Sequence, residues 1–222
     1  MIRAGKILIV IIFSFFLLIA VFFLHDYILN PHIEDEYLYN ALLEAGTDIN
    51  HNNKISIKEL KLLKGDLNLD RKVIFSVKGL EYATNIRGLA LSSNQIKDIS
   101  PLANLKNLDL LYLSNNRIVS IESLAELNNL EELFLNHNQI NEISPISNLK
   151  KLNYLLLTLN NVEDVKPLAF LVNLEILDLS TNNIKDISPL SNLKNLRNLN
   201  IEDNDITDLS PLDKLPYVKA TY

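Results

Sequence analysis

Between positions 89 and 209 the apolar residues fall into columns rather than runs. Leu89, Leu111, Leu133, Leu155, Leu177 and Leu199 form one column, and Leu91, Leu113, Leu135, Leu157, Leu179 and Ile201 form a second, two residues later. A third column reads Ile96, Ile118, Ile140, Val162, Ile184 and Ile206, and a fourth Ile99, Ile121, Ile143, Val165, Ile187 and Leu209. One polar residue keeps the same step: Asn94, Asn116, Asn138, Asn160, Asn182 and Asn204, 22 residues apart throughout. The alternation L-x-L predicts a short strand with both leucines on one face. The asparagine ends it, and its amide is placed to satisfy backbone groups of the turn and to link one coil to the next.

A fixed period of this length with an L-x-L-x-x-N core is a leucine-rich repeat signature. The fold class expected is an α/β repeat: a solenoid with a parallel concave β-sheet and short 3₁₀ or α turns on its convex side. Ser-Pro at 100, 144, 188 and 210 predicts the start of each convex turn, with serine as N-cap and proline in the first helical position. Lys166-Pro167 keeps only the proline. Glu122-Ser123 lacks both, which predicts the least ordered convex side there. One repeat cannot bury enough apolar surface to offset the entropy of ordering it, so the coils must stack.

Stepping back 22 residues from the first regular coil gives Leu67, Leu69, Ile74, Val77 and Leu80, all apolar, with Lys72 in the asparagine place. This is a degenerate coil, and a cap should precede it. Glu34 to Ala45 reads as an amphipathic helix with Tyr37, Leu38, Ala41, Leu42 and Ala45 on one face, ended by Gly46. The segment ISIKELKLL predicts a second short helix. At the other end Val218 and Thr221 fall in phase as the start of a further strand, and no C-terminal capping helix is expected, which leaves an edge strand.

Ile7 to Leu24 is apolar apart from Ser14 and follows Arg3 and Lys6. That length approaches the roughly 20 residues that span a bilayer, and no small-x-small cleavage site follows. The organisation expected is a cytoplasmic tail (1–6), a transmembrane signal anchor (7–24), a linker (25–32), a helical cap (33–63) and leucine-rich repeats (64–222). The localisation expected is the bacterial cell surface: a single-pass membrane protein whose repeats face outside the cytoplasm, or a secreted protein if the segment is cleaved.

The net charge of −6 gives no attraction to nucleic acid. With no cysteine there is no disulfide, thiolate metal site or cysteine nucleophile. Four scattered histidines and five glycines offer neither metal spacing nor a phosphate loop. The expectation is a protein that is not an enzyme.

The run NQIKDISPLANLKNL, with Asn-x-Ile, Asp-Ile-Ser-Pro-Leu and Asn-Leu-x-x-Leu recurring along the array, resembles the repeats of the internalin family of bacterial leucine-rich proteins. The resemblance covers about 64–222, and the helical segment before it looks like the cap such proteins carry. It implies a curved solenoid with a role in binding other proteins. The chain shows no immunoglobulin-like segment after the repeats and no wall-sorting signal, so host-cell adhesion is not part of the expectation.

Residues flanking the core leucines must point out of the concave face. Along the array they place Leu110, Tyr112, Phe134, Tyr154, Leu156 and Ile176 on neighbouring strands, with Asp178 at the border. Such an apolar patch with a polar rim marks an interaction site. Two chemistries share Asp48 to Glu59. As an EF-hand-like calcium loop it would use Asp48, Asn50, Asn52, the Lys54 carbonyl and Glu59, weakly, since only two carboxylates are present. As a capping box, Ser56 and Glu59 would start the second helix. The acidic residues Asp98, Glu142, Asp164, Asp186 and Asp208 read as ligands of their own turns' backbone. The function expected is a membrane-anchored repeat protein that binds a protein partner through its concave face. An envelope spacer, or a regulator or inhibitor of an envelope enzyme, is the alternative.

Overall fold

The computed structural model describes residues 30–222. Helix α1 spans Glu36–Glu44 and α2 spans Ile57–Leu62. Eight strands follow: β1 (Gly65–Asn68), β2 (Ile86–Ala90), β3 (Leu110–Tyr112), β4 (Glu132–Phe134), β5 (Tyr154–Leu156), β6 (Ile176–Asp178), β7 (Asn198–Asn200) and β8 (Lys219–Thr221). They form one parallel sheet in sequence order. Between strands the chain returns through 3₁₀ turns, mostly of five residues, such as Ser100–Asn104 and Ser188–Asn192. The turn at Glu122–Leu124 has three, the shortest in the regular array, where serine and proline are missing.

The columns become the core. Leu111, Leu133 and Leu155 stand opposite one another across β3 to β5 and are fully buried, as are Leu113, Leu135 and Leu157. Each ladder asparagine joins two coils. Asn138 donates from Nδ2 to the carbonyls of Leu135 in its own coil and Leu113 in the previous one, both at 3.0 Å, and its Oδ1 accepts the Ile118 N–H. Asn116 and Asn160 repeat the pattern. Buried backbone groups in a turn that cannot pair with its neighbours are thereby satisfied.

The degenerate coil is sealed by the cap. Leu38, Ala41 and Leu42 of α1 are buried, whereas Tyr37 and Ala45, placed by periodicity on the same face, are exposed. Asp35 Oδ1 accepts the Leu38 N–H as N-cap of α1. Its Oδ2 accepts the N–H groups of Phe75 and Ser76 in the first coil. Lys72, in the asparagine place, pairs with Glu44 at the end of α1 at 2.6 Å.

Three expectations are corrected. The transmembrane helix is removed from the fold class. Helices α1 and α2 have nine and six residues, against roughly 20 for a bilayer span. Among the described residues no helix is long and apolar enough to cross a membrane, and the 7–24 segment lies outside them. The convex serines are not side-chain caps. In the turn at Ser100 the preceding Asp98 accepts the serine N–H, Glu142, Asp186 and Asp208 do the same in their coils, and Asp164 accepts the N–H of Lys166. Hydrogen bonds from Ser188 and Ser210 hold the carboxyls of Asp186 and Asp208 below their ordinary range. Finally, β8 is displaced by one residue. Ala220, not Thr221, stands opposite Leu199, because the last coil is one residue shorter.

Candidate functional site

The outward residues of the concave sheet meet as the register requires. Tyr112 stands opposite Phe134, and Phe134 opposite Leu156; Leu110, Glu132, Tyr154 and Ile176 form the adjacent row. The rings of Tyr112 and Phe134 stack at 4.4 Å with 21° between planes, and Tyr154 leans diagonally onto Phe134 at 5.2 Å and 31°. Three aromatic side chains from three strands thus form one continuous surface. Each is half-buried. Aromatic pairs in this geometry hold one another in place, so little ordering remains when a partner arrives. Leu110, Leu156 and Ile176 flank the stack and are also half-buried.

Asp178 closes the patch towards the C-terminal end. Its Oδ1 accepts the Ser180 N–H and hydroxyl, and its Oδ2 accepts from Asn200. Burial first, then the carboxylates of Glu132, Asp70 and Asp66, push the Tyr112 phenol above its ordinary range, so it stays neutral.

Leu159 was not singled out by its sequence. It occupies the left-handed position before each ladder asparagine (φ 56°), where other coils place Ser93, Asn115, His137, Thr181 and Asp203. Its side chain is 38% exposed. The signal was present, since a leucine in an otherwise polar column, three residues beyond Leu156, breaks the pattern. A bulky side chain is thus held left-handed and partly in solvent, as at Val73 in the first coil.

In the cap loop the two carboxylates are engaged by the protein's own donors. Asp48 accepts the N–H groups of Asn52 and Asn53 at 3.1 and 2.7 Å. Glu59 Oε1 accepts from the Asn50 side chain and the Ile49 N–H, and its Oε2 from the Ser56 N–H and hydroxyl. The Ser56 hydroxyl in turn accepts the Glu59 N–H, completing the capping box. Burial raises the Glu59 carboxyl, and these hydrogen bonds outweigh it, leaving it below the ordinary range. His51 and Asn53 take left-handed turns there, and Lys54 donates its N–H to Asn52. Among the described residues no three histidine, cysteine or acidic side chains cluster as a metal site. His137 is exposed at the strand end.

A groove of about 620 Å³ lies beside the last strands, lined by Glu175, Lys194, Arg197, Tyr217 and Lys219 among others. It shares no residue with the aromatic patch. Its Arg197 pairs with Glu175, and Lys194 donates to the carbonyls of Ser191 and Lys214.

Residues 84–126 and 172–214 match a family model described as leucine-rich repeats in two copies. Internalin C2 from Listeria monocytogenes is 32% identical, with a TM-score of 0.63, over 87% of this chain and 97% of that one. The chain belongs to the internalin family of leucine-rich repeat proteins. A second internalin from Listeria monocytogenes, inlF, is 33% identical over 85% of this chain, with a TM-score of 0.64. This internalin-family chain spans 64% of its length. A leucine-rich repeat protein of Leptospira interrogans is 30% identical over 75% of this chain and 44% of its own, with a TM-score of 0.68.

A leucine-rich repeat solenoid is a fold typical of non-catalytic protein-binding scaffolds. The expected membrane attachment, single-pass localisation and signal-anchor role are corrected along with the fold class: no spanning helix exists among the described residues, and the segment that prompted them lies outside those residues.

Proposed function

We propose that this internalin-family chain captures a protein partner on its concave face, through Leu110, Tyr112, Phe134, Tyr154, Leu156 and Ile176, with Asp178 at the border. The observation that carries the reading is the Tyr112–Phe134–Tyr154 stack, presented outward by three adjacent strands. A sheet that only closed a solenoid would have no need of three preorganised aromatic rings facing away from its core. Binding energy concentrates in such anchors when they sit at the centre of a patch. The parallel sheet fixes their spacing at about 4.8 Å per strand, which gives a rigid template at little entropic cost.

A photo-crosslinking residue at position 134, compared with one at exposed position 185 away from the concave strands, tests this in cells of the source organism. Crosslinks to one protein from position 134 and none from 185 are expected. Equal labelling from both would remove the concave assignment.

A further inference from the structure

The columns beside the core leucines from β1 to β7 carry Asp66, Asp70, Glu132, Asp178 and Glu202, while the cations at the entry to the strands, Arg87 and Arg197, are paired with Asp109 and Glu175. Asp70 and Asp178 are occupied by the N–H groups of Ser92 and Ser180. Asp66 and Glu132 meet no hydrogen-bond donor or cation among the described residues, although they border the aromatic stack.

The place of Asp66 is shaped by its neighbour. Gly88 stands directly opposite it, and a Cβ there would come within 2.5 Å of the Asp66 Oδ1. The glycine leaves room for the carboxylate to lie across β2, towards Leu110 and Tyr112. Glu132 stands between Leu110 and Tyr154 in the same row. Both carboxylates, with Asp70, act on the Tyr112 hydroxyl from around it. Anionic oxygens and half-buried aromatic rings therefore share one corner of the patch.

Resting on the concave-face reading, we infer that the partner inserts an arginine beside an apolar side chain, its guanidinium lying against Tyr112 at the end of the stack and its N–H groups reaching Glu132, with Asp66 adding negative charge from β1. A guanidinium suits both halves of the corner: its plane stacks on aromatic rings, and its fork of donors matches carboxylates. Lysine offers the charge without the plane. A metal ion fits less well, because among the described residues no three ligands converge. An anionic partner would be repelled.

The test uses the full chain as bait for a display library of random twelve-residue peptides, followed by titration of the enriched peptides against variants. Enriched peptides are expected to carry arginine next to an apolar residue and to lose all binding to Phe134→Asp. Asp66→Asn with Glu132→Gln should weaken them about three- to tenfold, and raising salt should weaken binding to the parent chain in the same sense. Peptides that need Phe134 but lack arginine, or that bind the double variant as tightly, overturn the arginine inference and leave the concave-face reading standing. If no enriched peptide depends on Phe134, the concave-face reading fails and the inference with it. Self-association of the chain, removed by Phe134→Asp in sedimentation, would make a second copy the occupant and overturn the inference as well.

Discussion

Asp35 accepts the backbone N–H of Phe75 at 2.7 Å across 40 residues of sequence, while its other carboxylate oxygen caps α1 at Leu38. One side chain thus starts the cap helix and fastens it to the first coil, with Ser76 as a further donor. Asp35→Ala should cost about 2–4 kcal/mol, a lost N-cap plus two donors deprived of a charged acceptor. Because a solenoid is held by neighbours, the loss should be local. Hydrogen exchange should rise first at 67–77 and leave 111–157 protected; uniform loss of protection would refute the cap's separate role.

The asparagine ladder carries a larger penalty at its centre than at its end. Asn138→Leu would leave buried groups of Leu113, Leu135 and Ile118 unpaired, at about 3–5 kcal/mol. Asn204 is half-buried and partly reached by water, so Asn204→Leu should cost clearly less. Chemical denaturation of the two variants compares them directly, and equal losses would contradict the stacking account.

Leu159 sets stability against contact. At φ 56° a leucine is strained, whereas asparagine tolerates that region and already holds it at Asn115. Leu159→Asn should raise stability by about 0.5–1 kcal/mol while weakening partner capture about threefold or more. A variant that is more stable and binds unchanged would remove Leu159 from the contact surface.

Glu59 makes the cap sensitive to acid. Its carboxyl is held below the ordinary range, so its contribution is complete above the unfolded value of about 4.3 and is lost as pH falls through the folded value. Unfolding of the cap, followed at Tyr39, should therefore begin only in that acid window, and Glu59→Gln should be less stable at neutral pH and lose the acid dependence. With both Glu59 oxygens engaged, millimolar calcium is expected to leave the melting temperature unchanged. A rise would instead assign Asp48, Asn50, Asn52, Lys54 and Glu59 as a cation loop.

The solenoid was legible because its determinants repeat. The leucine columns, the asparagine ladder and the row from Tyr112 to Leu156 all follow from one period and the alternation of a strand. The missing features are those that occur once. Asp35 reaches Phe75 through no local pattern, and the salt bridge that explains Lys72 depends on where α1 ends. The offset of β8 comes from a single missing residue in the last coil, which no column upstream records. The acidic residues before the convex turns were assigned correctly to their own backbone, yet they also displaced the serines as the capping side chains. At the concave face, periodicity identified the neighbours; that the three rings stack, and that Gly88 makes room for Asp66, depends on side-chain geometry.

The most direct measurement is the affinity of Phe134→Asp for the protein captured at position 134, with circular dichroism and melting as controls. The substitution replaces the middle ring of the stack with a charge on a half-buried, outward side chain. The account predicts that capture is abolished while the melting curve stays close to that of the parent chain. A correctly folded Phe134→Asp that binds with undiminished affinity would contradict it.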